Sequence, residues 1–511
     1  MTKNLLAIAV CLAVLVVHAS RAPAQASDGK AAAKTEPKLD ESKETFVETK
    51  RSIALAGKKL DYTASAGTIF LKNDKGVHTA NVFYVAYTKD GVSDFADRPV
   101  TFAFNGGPGS SAVWLHLGAL GPRRLDVGEM GDDVVPPYKM VDNDTTILDV
   151  TDLVFIDPVS TGYSRPAPGQ DGKPFHSVSG DVKSVADFIR LYVTRCKRWN
   201  SPKYLAGESY GTTRASGLAS YLQDEFGMYL NGILLVSPAL DFQTILFGPG
   251  NDLPYILYLP SYAATAWYHK RLAPELQADR EKTLAEARKF AQGEYAHALF
   301  RGNSLSRQER HNLAKRISHY TALPEEFVLQ KKLRIALPDF MAELLRKDGQ
   351  IVGRFDSRLK APYSEEQQGH LTTDPSYASV LGPFAAAFNR YIRDELRYST
   401  ELPYEILNIR LNWDFDDAKN SYTNVSDSLS RAMTVNRNLK VFVATGYYDM
   451  ATTFTGSEYT LNHLDLTPEL RGHVALHYYD AGHMMYVHPA SRHRLKDDMA
   501  KFYEATRGAR K

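Results

Sequence analysis

The sequence has 511 residues, of which 44% are hydrophobic and 23% are charged, and its formal net charge is +2. This near balance of charges argues against electrostatic capture of nucleic acid, and no internal apolar run is long enough to span a bilayer. The sequence has no His/Cys/Glu cluster at zinc-ligand spacing and no dinucleotide-binding fingerprint, so we expect neither a metal nor another cofactor.

The amino terminus has the pattern of a secretory signal peptide. Lys3 precedes a nearly continuous apolar stretch over 5–17, and small residues follow as far as Ala26. The apolar stretch has about a dozen residues, too few for a comfortable membrane span. We therefore predict a signal peptide over 1–26, a secreted or periplasmic protein, and no stable membrane insertion after cleavage.

The next segment, 27–50, is rich in Lys, Glu, Ala and Ser and contains little that could fill a core, so we predict a flexible charged leader. Residues 51–240 have the pattern of the first part of an α/β core. Alternating apolar residues over 53–87 predict antiparallel strands that begin the sheet. A helix is predicted over 181–199, with Cys196 as a packing residue rather than a reactive thiol.

A glycine-rich loop follows the buried-strand pattern 100–104. It reads Asn-Gly-Gly-Pro-Gly-Ser-Ser over 105–111. Such a loop leaves backbone N–H groups free to bind an anion, and acyl-transfer chemistry needs two such donors at the developing oxyanion. We take the N–H of Gly107 as the first donor. One alternative is a plain glycine-rich connector between strand and helix. The other is a phosphate-binding loop, but its Gly-Lys-Ser/Thr ending is missing.

The segment 207–211 reads Gly-Glu-Ser-Tyr-Gly and lies between an apolar run and a stretch with a helical pattern. This Gly-x-Ser-x-Gly spacing is typical of a nucleophile elbow, a strained strand-to-helix turn that needs glycine where two backbones nearly touch. Ser209 is therefore the candidate nucleophile, and the N–H of Tyr210 is the second oxyanion donor. The alternative is a plain Gly/Ser turn.

Between residues 241 and 438 charged amphipathic segments replace the strand pattern, which predicts an inserted, mainly helical cap over the active site. Residues 439–511 then complete the α/β core. Aromatic residues crowd the beginning of the cap, and packing between cap and core is favoured over a specificity pocket for any one of them. They are Tyr255, Tyr258, Tyr262, Trp267 and Tyr268.

Two further candidates for chemistry, Asp449 and His483, each lie just after an apolar strand pattern. The carboxyl ends of parallel strands gather reactive groups, and the chain order Ser, acid, His is that of the α/β hydrolases. We predict that His483 accepts the proton of Ser209 and that Asp449 orients His483. Asp480 and Asp465 are alternative acids, but neither lies at the end of an earlier strand.

The glycine-rich loop, the elbow and the late Gly-His-Met at 482–484 together resemble the serine carboxypeptidases, peptidase family S10. The three motifs span most of the chain in the same order. The resemblance implies an α/β-hydrolase fold, with a mostly parallel central sheet, helices on both faces and an inserted helical cap. It also implies a peptidase that removes carboxy-terminal residues from peptides or proteins through an acyl-enzyme. By the same resemblance, Asn105 and Glu208 hold the substrate's terminal carboxylate.

The same motifs leave two other functions open. An esterase or an acyltransferase could use the same fold, because a catalytic triad does not determine which acyl group it receives. A catalytically silent binding module is the weaker alternative, since all three triad positions are occupied. The sequence does not determine the oligomeric state or the preferred side chains.

The chain departs from the pattern of the serine carboxypeptidases in two respects. The family's second clamp glutamate, two residues before Gly121, is Ala119 here, which predicts weaker discrimination between free and blocked termini. His116 is either a partial substitute, as an imidazolium, or an ordinary helix residue. Cleavage of the signal peptide would leave Cys196 as the last cysteine, so no intramolecular disulfide could form, which is typical of a bacterial rather than a eukaryotic member.

Overall fold

The computed structural model describes residues 43–128, 134–364, 374–416, 418 and 421–507. The predicted signal peptide and residues 27–42 of the predicted leader lie outside the described residues. No helix in the described part of the chain is long and apolar enough to cross a membrane.

The described residues form 14 strands. They are β1 (Phe46–Leu55), β2 (Lys58–Lys72), β3 (His78–Lys89), β4 (Val100–Phe104), β5 (Arg123–Leu125), β6 (Met140–Asp142), β7 (Asp152–Ile156), β8 (Arg165–Pro166), β9 (Lys203–Glu208), β10 (Gly232–Val236), β11 (Gln350–Val352), β12 (Lys360–Pro362), β13 (Lys440–Gly446) and β14 (Val474–Tyr479).

One large sheet organises the molecule, with the strand order β1-β2-β3-β7-β4-β9-β10-β13-β14 and β8 beside β3. The pairs among β1, β2, β3 and β7 are antiparallel, whereas every pair from β7 onward to β14 is parallel. The prediction of a mostly parallel central sheet that opens with antiparallel strands is therefore confirmed. The parallel half places the carboxyl ends of β4, β9, β13 and β14 at one edge.

The predicted end of the leader at residue 50 is wrong, because β1 begins at Phe46 and pairs with β2 over its whole length. In β1 exposed residues such as Glu48 and Lys50 alternate with partly buried ones such as Val47. An edge strand with one solvated face needs few apolar residues. Its composition therefore resembles that of a disordered leader.

The helices are α1 (Val178–Arg195), α2 (Tyr210–Phe226), α3 (Leu253–Tyr268), α4 (Pro274–Gln277), α5 (Arg280–Phe290), α6 (Ala296–Arg301), α7 (Arg307–Thr321), α8 (Glu325–Gln330), α9 (Leu337–Glu343), α10 (Pro375–Asp394), α11 (Ser426–Val435), α12 (Phe454–Asn462), α13 (Pro468–Arg471) and α14 (Pro489–Thr506). Helix α1 ends at Arg195, short of the predicted end at residue 199. Cys196 comes directly after it and is exposed, so the predicted packing role of this cysteine is wrong.

Successive residues of the strands pack into layers on opposite faces of the sheet. Phe102 and Phe104 belong to the layer that contains α1, α2 and α11, whereas Ala103 and Phe155 belong to the layer with α10 and α14. This alternation follows from the period-2 geometry of strands. Both faces of the parallel strands are thus buried, which explains their continuous apolar sequences.

The interval predicted as a cap, 241–438, contains helices with two different roles. Helices α3, α5, α7 and α9 share a separate apolar cluster. By contrast, α10 packs on one face of the sheet through Phe384 and Phe388, and α11 packs on the other through Leu429. The predicted restart of the core at residue 439 is therefore too late. Amphipathic periodicity identifies a helix but does not identify the surface that it covers.

Candidate active site

Ser209 lies in the tight turn between β9 and α2. Its backbone has φ 59° and ψ −130°, a strained conformation for a residue with a side chain. A Cβ atom on Gly207 would lie 2.2 Å from the carbonyl oxygen of Gly211, and one on Gly211 would lie 2.8 Å from the oxygen of Phe104. Both glycines are therefore required by the close approach of strand, helix and loop.

His483 and Asp449 form a buried pair at the carboxyl ends of β14 and β13. His483 Nδ1 lies 2.8 Å from Asp449 Oδ2, and their side chains are 3% and 0% exposed. This contact assigns the Nδ1 proton to the Asp449 side and leaves Nε2 as the ring nitrogen able to accept another proton. Burial disfavours the charged ring, but Asp449 and Glu208 outweigh it and raise the pKa of His483.

The alternative acid Asp480 takes no part in this pair. Its carboxylate is exposed and forms an ion pair with Arg280 of α5. The geometry therefore selects Asp449 over Asp480 as the carboxylate partner of His483.

Three residues that the sequence analysis missed hold this pair in place. Thr452 Oγ1 donates to Asp449 Oδ2 over 2.8 Å, and Ser237 Oγ donates to the carbonyl oxygen of His483 over 2.7 Å. Phe355 accepts the His483 N–H over 2.6 Å, and its ring stacks on the imidazole with centroids 5.1 Å apart. A threonine three residues after an aspartate is a recognisable local signal, whereas nothing in the sequence links Phe355 to His483.

The two predicted oxyanion donors lie next to each other. Gly107 has φ 101°, and Gly107, Ser209 and Tyr210 line the same cavity. A Cβ on Gly106 would lie 2.3 Å from the backbone nitrogen of Tyr210, so the glycine-rich loop passes directly over the elbow. Tyr210 opens α2, where the first N–H groups of a helix have no partner within it.

Glu208 is buried and only 3% exposed. Tyr486 donates its hydroxyl to Glu208 Oε2 over 2.6 Å. Burial raises the pKa of Glu208 to about 7, although the nearby His483 charge and the Tyr486 hydrogen bond act in the opposite direction. The carboxyl group is therefore protonated at mildly acidic pH.

Asn105 lies beside Glu208 at the end of β4 and is 1% exposed. Its Oδ1 accepts the N–H of Leu115 over 3.0 Å, which fixes the orientation of the amide. Its Nδ2 is buried and makes no well-aligned hydrogen bond with the described residues, but it lies close enough to the Glu208 carboxyl group to lower the pKa of that group. Asn105 thus presents an amide donor at the cavity wall, next to Glu208.

These side chains share one cavity of about 320 Å³. The predicted site residues brought together there are Asn105, Gly107, Glu208, Ser209, Tyr210 and His483. Three apolar residues of its lining are well exposed, with Leu246 at 48%, Ile409 at 66% and Phe415 at 40%. None of the five aromatic residues at the beginning of the predicted cap belongs to this lining, and Tyr258 and Tyr262 lie in the cap's own apolar cluster.

The suggestion that His116 replaces part of the clamp as an imidazolium is wrong. Its Nε2 lies 2.6 Å from the hydroxyl of Tyr87, and its ring stacks on Phe155 with centroids 4.3 Å apart. Burial lowers the pKa of His116 to about 3, so the ring is neutral. Ala119 is also buried, and neither residue lines the cavity.

Comparison with known proteins agrees with this architecture. A family model described as serine carboxypeptidase matches residues 59–488. The chain is similar to the crystal structure of Kex1(delta)p, a prohormone-processing carboxypeptidase from Saccharomyces cerevisiae, with a TM-score of 0.56 and 15% identity over 87% of this chain and 91% of that chain. At that identity the likeness shows a shared fold, the α/β-hydrolase fold.

More distant likeness extends to a proline iminopeptidase from Mycobacterium smegmatis, with a TM-score of 0.37 and 14% identity over 86% of this chain and 98% of that chain. A thermostable carboxyl esterase from Bacillus coagulans has a TM-score of 0.37 and 12% identity over 86% of this chain and 98% of that chain. The search of curated proteins found no match.

Proposed function

We propose that this chain, which belongs to the serine carboxypeptidase family, hydrolyses carboxy-terminal peptide bonds through an acyl-enzyme formed on Ser209. The observation that carries the proposal is the buried His483–Asp449 pair beside Ser209, in one cavity with a buried glutamate. The family supplies the reaction class, a serine carboxypeptidase hydrolase. The assignment of roles to individual residues is our own.

In the first half of the reaction, Ser209 Oγ attacks the carbonyl carbon of the last peptide bond while His483 Nε2 takes the hydroxyl proton. The carbonyl oxygen becomes an oxyanion, which accepts hydrogen bonds from the N–H groups of Gly107 and Tyr210. His483 then gives its proton to the leaving nitrogen, the C–N bond breaks, and the carboxy-terminal residue departs. The rest of the peptide remains as an ester on Ser209.

In the second half, water replaces the departed amine. His483 Nε2 takes one proton of the water as its oxygen attacks the ester carbonyl, and the same proton returns to Ser209 Oγ as the C–O bond breaks. Asp449 keeps the imidazole in one tautomer and stabilises its charged form throughout. The products are the shortened peptide and the released residue.

The selection of carboxy-terminal residues is assigned to Glu208 and Asn105. A protonated Glu208 can donate to the substrate's terminal carboxylate, and the Nδ2 of Asn105 supplies a second donor beside it. An ionised Glu208 would instead repel that carboxylate. Binding of free-acid peptides thus requires Glu208 in its neutral form.

We expect KM for a free-acid peptide to rise as the pH passes through about 7, because the raised pKa of Glu208 places its ionisation there. KM for an ester substrate without a free carboxylate should not change in this range. On the acid side both substrates should lose kcat together, since His483 must be neutral to accept a proton and its pKa is raised. Steady-state kinetics from pH 4 to 9 on a matched pair tests this.

Two variants serve as controls for this pH dependence. Glu208→Gln cannot ionise, so KM for the free-acid peptide should become flat around neutral pH. Tyr486→Phe removes a hydrogen bond that favours the ionised form of Glu208, so the rise in KM should move to higher pH. Parallel profiles for peptide and ester in the wild type would contradict the role of Glu208.

One comparison of substrates distinguishes the proposed carboxypeptidase from the alternative, an esterase or acyltransferase on the same fold. A carboxypeptidase releases a single amino acid from a free-acid peptide and acts less well on its amide. An esterase would cleave acyl esters and leave both peptides intact. Product analysis by mass spectrometry on the purified protein decides between the two activities.

We also propose that the protein acts outside the cytoplasm, on the basis of the predicted signal peptide over 1–26. Amino-terminal sequencing of the protein expressed in a bacterial host should give a mature chain that begins at Ser27. Recovery of an uncleaved chain from the cytoplasm would contradict this.

A further inference from the structure

Arg354 lies in the segment between β11 and β12, and its backbone is fixed beside the active site. Its N–H donates to Asp374 Oδ2 over 2.6 Å, and its carbonyl accepts the N–H of Met450 over 3.0 Å. Met450 directly follows Asp449, and Phe355, the next residue after Arg354, accepts the N–H of His483. The backbone of Arg354 is thus held by Asp374 on one side and by Met450, the neighbour of Asp449, on the other.

The side chain of Arg354, unlike that of the nearby Arg358, forms no ion pair that stabilises the fold within the described residues. It is half-buried and lines the cavity, and no described carboxylate lies within ion-pair distance of it. Its guanidinium lies 5.6 Å from the centre of the Phe355 ring. Arg358, four residues later, instead forms two hydrogen bonds with Asp356, of 2.9 and 2.6 Å.

The charge of Arg354 also lacks a counterpart within the cavity. Among the described residues of the lining, Arg354 is the one lysine or arginine and Glu208 is the one aspartate or glutamate. Glu208 already accepts from Tyr486 and is neutral at mildly acidic pH. Most of the remaining wall is apolar. An anionic group that entered this cavity would therefore find Arg354 as its cationic partner.

We propose that Arg354 is a specificity-determining residue that binds a carboxylate of the substrate. This inference rests on the proposed peptidase function and adds to it the chemical class of the preferred peptide. The carboxylate has two sources, an acidic side chain next to the scissile bond or the terminal carboxylate itself. A guanidinium suits either one, because its planar fork can bind both carboxylate oxygens at once.

The test compares matched peptides that differ by one charge. In the first comparison the two peptides differ by Glu or Gln at one residue next to the scissile bond, and this is done once on each side of the bond. In the second comparison the two peptides differ by a free-acid or an amidated terminus. Wild type, Arg354→Gln, Arg354→Lys and the control Lys360→Gln are assayed on all of them. Lys360 suits the control because it is an exposed cation in β12 and does not line the cavity.

We expect Arg354→Gln to lower kcat/KM about tenfold or more on peptides that bear the recognised carboxylate, mainly through KM. Neutral counterparts should be unaffected, Arg354→Lys should recover part of the loss, and Lys360→Gln should behave as wild type. A loss confined to Glu peptides identifies the side chain as the source. A loss on every free-acid peptide, with amides spared, identifies the terminus.

Two results would overturn the proposal. An equal loss on all peptides would mean that Arg354 only positions Phe355 against His483, and no loss on any peptide would mean that its charge is not used. If wild type cleaves esters but no peptide, the proposed peptidase function fails instead. The Glu and Gln comparison on acyl esters then tests Arg354 by itself.

Discussion

Replacement of Ser209 by alanine should lower the turnover of a peptide substrate by about 10⁶-fold, because triad members act as a unit and only binding and the oxyanion hole remain. The fold should survive. The Ser209 hydroxyl makes no hydrogen bond within the described residues, and alanine is strained at φ 59° to the same extent as serine. Single-turnover release of the carboxy-terminal residue measures the loss, and thermal unfolding verifies the fold.

Ser237 provides a matched control for this substitution. It follows the neighbouring strand β10, also has a positive φ of 49°, and donates to the backbone of His483 rather than facing a substrate. Ser237→Ala removes one hydrogen bond that positions His483, so we expect a loss of about tenfold. If Ser209→Ala keeps more than about a tenth of the wild-type rate, a level that the triad mechanism forbids, Ser209 is not the nucleophile.

Substitution of Asp449 by asparagine should lower kcat by about 10⁴-fold with little change in the fold. Asp449 Oδ1 accepts the backbone N–H groups of Ala451 and Thr452 over 2.8 and 2.9 Å. These donors would hold the amide oxygen of asparagine in the same place and turn its NH₂ group toward His483 Nδ1. The imidazole would then carry its proton on Nε2, where it cannot accept the proton of Ser209.

Asp480→Asn is the matched control for Asp449→Asn, because it makes the same change in the rival acid. Asp480 is exposed and paired with Arg280, so the variant should retain activity close to that of wild type. A loss of less than tenfold in Asp449→Asn, or a larger loss in Asp480→Asn, would refute the assignment. The pH profile of the residual activity adds a second readout. The rate of Asp449→Asn should increase at high pH, because hydroxide can then take the proton that His483 no longer accepts.

The sequence predicted the elements of the site that depend on local backbone geometry. Gly207 and Gly211 indicated a turn in which two backbones nearly touch, and the structure shows contacts that no Cβ atom would allow. Asp449 and His483 were found because each follows an apolar strand, and parallel strands bring their carboxyl ends to one edge of the sheet. These signals are local, so they can be recognised without knowledge of the partner.

The structure corrected the predictions that required knowledge of distant contacts. Amphipathic periodicity marked the interval 241–438 as helical, but only the packing shows that α10 and α11 cover the sheet. His116 had the correct spacing for a role near the site, yet its ring lies against Tyr87 and Phe155 in the core. The periodicity of a helix predicts which of its faces is buried, but it does not predict which part of the molecule packs against that face.

The sequence by itself determined the tight turn at Ser209, the loop that crosses it and the order of the three catalytic candidates, and its family resemblance implied the mostly parallel sheet that presents them. Only the tertiary structure decided the environment of these groups. Tyr486 and Glu208 are 278 residues apart in the chain, and Arg354 reaches the cavity from within the predicted cap. Burial, pKa and charge complementarity arise where remote segments meet, so no local pattern of residues encodes them.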